Sequence, residues 1–221
     1  MHKGLIELFL SVTAVILAAP LSAASPCDEP DRPGTAWELS AQTPLAVIYQ
    51  PVNSAGSPPA SLVRIQWDAD PDLLYEIIWD YERFADFIPN VKSSRILAKQ
   101  ADRAWVYQQL HMPGPARDRH YVIVSNTIGS KPLQHHYRVE WNLSTQYPLP
   151  DDDLKVTPEH FRGCWKIEAH TPRGLAASYW IELEPGGLLP RWVTQTALRH
   201  YITDLMTALH QRLQSAPGMQ R

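Results

Sequence analysis

The chain has nine histidines and two cysteines, and few of them stand at spacings that would do chemistry. His135 and His136 are sequence neighbours, so on a strand they point to opposite faces and cannot share an ion. HExxH, CxxC, GxSxG, a Ser-His-Asp order and a glycine-rich phosphate loop are all missing. The catalytic chemistry left to the chain is general acid–base work by His111, His135 or Tyr121 inside a pocket. Recognition is better supplied. Rings with polar tips recur at Trp105, Tyr107, Tyr121, Tyr137, Trp141, Trp165, Tyr179 and Tyr201, with Gln109 beside them. Such side chains suit an apolar pocket that orients a guest through a few hydrogen bonds. They equally suit a solid interior between a sheet and a helix.

Arg117, Asp118 and Arg119 form a charge trio just after the break Pro113-Gly114-Pro115 and just before the strand-like run Tyr121, Val122, Ile123 and Val124. They read either as surface charges fixing a corner, or with one arginine turned inward onto an acid such as Glu140 or onto a ligand headgroup. The inward version needs a partner, because a buried lone guanidinium is costly. Cys27 and Cys164 are too far apart in sequence for a metal motif, and no cofactor is expected. An oxidising compartment would permit a disulfide between them. The sequence leaves their meeting open; the bridge would be worth roughly 4–5 kcal/mol in the chain-entropy model.

Elements that must position these groups follow from periodicity. Residues 45–50 and 61–68 read as strands, the second with Val63, Ile65 and Trp67 on one face. Asp70 suits an N-cap and Pro71 the first turn of a helix whose apolar stripe runs through Leu73, Leu74, Ile77, Ile78, Tyr81 and Phe84, drifts near Asp80 and stops at Pro89. Strands follow at 103–112, where the inner face is ambiguous, and at 135–143. In the latter, Tyr137, Val139 and Trp141 alternate with Arg138, Glu140 and Asn142. Phe161, Gly163 and Trp165 oppose Arg162, Cys164 and Lys166, which puts Cys164 on the outer set; Ala177, Tyr179 and Ile181 finish the sheet. Pro185, Gly186 and Gly187 precede a long amphipathic helix over 189–213. One antiparallel sheet with a long helix laid across it is an α+β architecture.

The ends bound the location. Residues 1–24 have the order of a secretory signal peptide: a short charged start, an apolar run from Leu8 to Leu21, then Ser22, Ala23 and Ala24. An uncleaved anchor is the alternative, disfavoured because the run falls short of the roughly 20 residues a span needs. The expected place is therefore the periplasm or outside the cell. Residues 25–60, rich in proline, read as an arm carrying the first strands, 61–213 as one domain and 214–221 as a flexible tail. Net charge −3 and the lack of a Lys/Arg run make nucleic acid a poor partner.

The stretch 111–127 resembles the proline-then-Arg-Asp strand motif of bacterial START-related lipid-binding domains, in the polyketide-cyclase/START superfamily of helix-grip folds. The stretch 80–97, through Tyr81, Phe84, Phe87, Pro89 and Asn90, resembles that superfamily's helix-to-strand passage, and 185–192 its Gly-Gly-x-x-Pro entry to the last helix. The resemblance implies a curved antiparallel sheet wrapped around a long C-terminal helix. It also implies a lipid, sterol or other isoprenoid ligand held between them by the rings above with Gln109, Arg117 and Arg119. A monomer touching membranes transiently is the expected state, with the last helix and the loop Tyr147–Pro158 as gates. A cyclase- or dehydratase-like enzyme and a ligand-free adaptor are the alternatives.

Overall fold

The computed structural model describes residues 25–216 apart from 33, 53–55, 115, 172–173 and 188–189, so the leader expected at 1–24 and the end of the tail lie outside the described residues. Strands β1 (Trp37–Gln42), β2 (Val47–Pro51) and β3 (Ala60–Trp67) open the fold. Helix α1 (Pro71–Trp79) follows, then a 3-10 turn (Tyr81–Arg83) and the short α2 (Phe84–Phe87). Next come β4 (Val91–Gln100), β5 (Arg103–Leu110), β6 (Asp118–Thr127), β7 (His136–Leu143) and β8 (Lys155–Val156). The chain closes with β9 (His160–Thr171), β10 (Gly174–Glu184) and α3 (Arg191–Ser215). The strands form a single sheet in the order β1-β2-β3-β10-β9-β7-β6-β5-β4. Its pairs are antiparallel except that β8 runs parallel to the start of β6.

The helices begin and end where local chemistry dictates. The Asp70 carboxylate accepts the Asp72 N–H at 2.8 Å, capping α1 beside Pro71. At Asp80 the backbone leaves helical space (φ −85, ψ 63), the break that the drifting stripe predicts. Ile88 is extended before Pro89 and Asn90 turns with φ 64, which sends the chain into β4. On α3, Leu198, Ile202, Leu205, Met206, Leu209 and Leu213 are at most 5% exposed. This three-and-four spacing lays one stripe on the sheet, where it meets Val63, Ile65, Ile167 and Ile181. The curved sheet closes around α3, so the α+β helix-grip arrangement is the one found.

One strand inside the proline-rich segment was not foreseen. β1 pairs with β2 as a hairpin turned at Thr43, whose hydroxyl accepts the N–H groups of Leu45 and Ala46. The arm proper, from Ser25 to Asp31, lies on the outer face of the sheet. Cys27 is disulfide-bonded to Cys164 with Cα atoms 5.0 Å apart. Around that bond Asp28 meets Arg138 (2.7 Å), Glu29 meets Arg162 (3.3 Å) and Asp31 meets Lys166 (2.7 Å), while Ser25 donates to Glu140.

Candidate ligand-binding cavity

Between the inner face of the sheet and α3 lies a cavity space in two neighbouring parts that share four lining residues. The wider part, about 650 Å³, is bounded by the proline loop at Met112, Pro113, Gly114 and Ala116, by Ile181 and Leu183 on β10, and by Val193, Thr194, Ala197 and Leu198 on α3. The inner part is a cleft of about 70 Å³ walled by Tyr81, Phe84, Trp141, Trp165, Tyr179 and Leu205. Leu110, Tyr121, Phe161 and Tyr201 border both. A hollow of similar size, about 630 Å³, sits on the outer face, but Arg64, Gln66, Lys166 and Glu168 line it. Only the first has the mostly apolar wall with a few polar groups that a small-molecule site needs.

Of the residues singled out by sequence, Arg119, Tyr121, Trp141, Trp165, Tyr179 and Tyr201 meet at this cavity. The rings are closely packed: Trp165 and Tyr179 lie 4.6 Å apart, and Tyr121 meets Phe161 at 5.0 Å. Trp105, Tyr107 and Gln109 do not belong to it. They occupy the outer face of β5, where Trp105 and Tyr107 pack with Val122 under Tyr147 and Leu149, and Arg95 and Arg103 lie over their rings. The inner positions of β5 are instead Ala104, Val106, Gln108 and Leu110. Tyr137 is inner but remote from the cavity; it stacks on Tyr75 at 4.2 Å and donates to Asp72 at 2.8 Å. Arg117 is exposed and donates to the Asp153 carbonyl at 2.8 Å.

The inward arginine is Arg119, 4% exposed. Its Nε donates to the Pro185 carbonyl and its Nη2 to the Gly186 carbonyl, both at 2.8 Å, and its Nη1 to the Arg117 carbonyl. Of the two partners allowed for an inward arginine, Glu140 is not the one found, because it faces outward and accepts from Ser25. Burial is the main influence lowering the Arg119 pKa from its ordinary value, with Arg117 second.

Phe161, Leu110, Gln108 and the proline loop were missed as cavity groups. Phe161 shares the alternation of Trp165, so its place was readable; Gln108 could be found only by choosing the right face of β5. Tyr121 donates to Gln108 at 3.0 Å, and Gln108 donates on to Ser94 at 3.2 Å. Burial raises the hydroxyl pKa of Tyr121 and Tyr179 far above its usual value and that of Tyr201 to about 12. These hydroxyls therefore hold their protons at neutral pH and act as donors rather than bases. His111 stands at the mouth, 3.2 Å from Asp118, whereas His135 is on Asp72 at 2.7 Å, away from the cavity. The loop Tyr147–Pro158 mostly covers Trp105 or pairs as β8, and it reaches the cavity at Pro158. Among the described residues no group of three or more His, Cys, Asp or Glu side chains could hold a metal ion.

This chain is similar to the phosphatidylcholine transfer protein of Bos taurus, with 25% identity over 186 residues covering 81% of this chain and 86% of the relative. Its fold is similar to that of a STAR-related lipid transfer protein from Xanthomonas axonopodis (TM-score 0.71, 21% identity, 81% of this chain and 99% of that one). Human StAR-related lipid transfer protein 5 also has a similar fold (TM-score 0.70, 11% identity, 84% and 90%). Residues 67–210, which hold α1, the sheet from β4 onward and nearly all of α3, match the model of the polyketide cyclase / dehydrase and lipid transport family, and the chain belongs to that family.

Proposed function

We infer that this protein takes up one hydrophobic small molecule of the lipid, sterol or isoprenoid class beneath α3 and carries it across the aqueous space of a periplasm or cell exterior. The observation that carries the reading is the cavity of about 650 Å³, bordered by the proline loop and by the apolar side chains Ile181, Leu183, Val193, Ala197 and Leu198. Its size lies within the roughly 300–1,000 Å³ typical of small-molecule sites. The lipid-transfer activity named for the bovine relative supports the same class of ligand. Delivery relies on residues 1–24 acting as a leader, so protein recovered from the periplasm should begin near Ser25. Trp192, 70% exposed in the first turn of α3, is the group that would touch a bilayer surface.

Native mass spectrometry of the protein recovered from cells tests the reading. The expected result is an apolar adduct, removed by organic extraction and regained from lipid vesicles, and lost in Ala197→Trp, which fills the cavity. A protein that carries no adduct and takes none from vesicles would refute it. Turnover of an aromatic polyketide by the same preparation would move the assignment to the cyclase side of the family.

A further inference from the structure

Three features meet at the end of the cavity where α3 begins. Arg119 is buried, and its contacts are three backbone carbonyls. A guanidinium has five N–H donors, so two remain for a guest, and among the described residues no carboxylate lies within ion-pair distance of it. Thr194, 4% exposed, lines the same cavity, and among the described residues its hydroxyl has no hydrogen-bond partner. The third is the start of α3 itself. Pro190 is its N-cap and offers no side-chain cap, so the positive end of the helix dipole is left without a side-chain acceptor. The two carbonyls that hold Arg119 from the far side, Pro185 and Gly186, belong to the turn that feeds this helix.

The negative groups nearby are turned to the other face or stand at a distance. Asp118 precedes Arg119 on the strand and so points to the other face, where it accepts from Lys92 at 2.7 Å and from the Met112 N–H at 3.1 Å. Asp204 also lines the cavity. It is exposed and ten residues further along α3 than Thr194, about 15 Å of helix. Tyr121 and Phe161 also border the cleft of about 70 Å³, room for the end of one tail.

We propose that the guest is an anionic, single-tailed amphiphile whose carboxylate or phosphate head is held by Arg119 and Thr194 beside the start of α3, with its tail running toward Tyr121, Phe161 and Trp141. The assignment rests on the cavity reading above and adds the charge and the direction of the ligand. Charge-assisted hydrogen bonds from a guanidinium and a hydroxyl in a dry site are the strong kind, and a neutral head would leave the Arg119 charge unanswered.

Titration calorimetry of the delipidated full chain with oleate, 1-oleoyl lysophosphatidate and the uncharged monoolein tests the proposal. At least one of the two anions should bind about tenfold more tightly than monoolein, and which of them does so identifies the head as carboxylate or phosphate. Thr194→Val keeps the side-chain shape and should weaken the anion severalfold more than it weakens monoolein; Arg119→Gln should abolish the preference. If Arg119→Gln does not fold, Thr194→Val carries the decision alone. Equal affinities for all three lipids, or a Thr194→Val loss shared equally among them, would overturn the anionic head while leaving a lipid-binding cavity in place. Failure of all three lipids to bind would overturn the cavity reading as well.

Discussion

At the scale of single residues, the inner cleft depends on Gly163. A Cβ at this position would run into the Trp141 ring and the Trp180 carbonyl, so β9 needs a glycine to let the indole stack on Tyr179 and tilt against Phe161. Gly163→Ala should cost about 1–3 kcal/mol as an overpacked core position and push Trp141 into the space that a guest tail would use. Urea unfolding and lipid titration of the variant check this; an unchanged midpoint would mean that the ring moves aside freely. The same strand was well read from sequence, because its large apolar residues face one way and its charges the other. β5 was not, because both of its faces are covered. The smaller Ala104 and Val106 point inward, while Trp105 and Tyr107 are buried outward under Tyr147 and Leu149. Alternation reports which residues differ in polarity, and with two buried faces there is no such difference to report.

Between elements, α1 is moored to the turn before β7 through one carboxylate. Asp72 accepts from the Tyr137 hydroxyl at 2.8 Å and from His135 Nδ1 at 2.7 Å. The hydrogen bond to Asp72 is the first cause of a raised His135 pKa. Because the folded value lies above the unfolded value of about 6.5, the stabilisation is complete below that pH and is lost as pH rises through the folded pKa. Burial first, and Asp72 second, raise Tyr137 to about 12, so its bond to Asp72 stays constant over the same range. Asp72→Asn should therefore reduce thermal stability more at pH 6 than at pH 9 and bring the His135 titration, followed by NMR, back toward its ordinary value. A difference independent of pH would assign the mooring to Tyr137 alone. The start of α1 and the stop of the helical stretch were legible because they depend on neighbours in sequence, namely Asp70, Pro71 and Pro89. The landing of α1 on residues more than sixty positions away was not, since local propensity carries no information about such pairs.

For the molecule as a whole, the two faces of the sheet have separate tasks: the inner face and α3 enclose the cavity, and the outer face holds the arm. Basic residues Arg138, Arg162 and Lys166 lie opposite Asp28, Glu29 and Asp31, and the disulfide closes a sequence separation of 137 residues. In the chain-entropy model a loop of that size is worth about 5 kcal/mol. This is an upper bound, because an arm held on the outer face can detach while the core stays folded. The Cys27→Ser/Cys164→Ser pair should lower the thermal midpoint and expose the amides of residues 25–32 to hydrogen exchange. Its lipid affinity should stay within about twofold of the parent, since none of the arm residues borders the cavity between the sheet and α3. Affinity falling in step with stability would mean that strain passes through β9 from Cys164 to its neighbours Gly163 and Trp165. In that case the arm would have to be counted as part of the binding site, and the proposed division between the faces would fail.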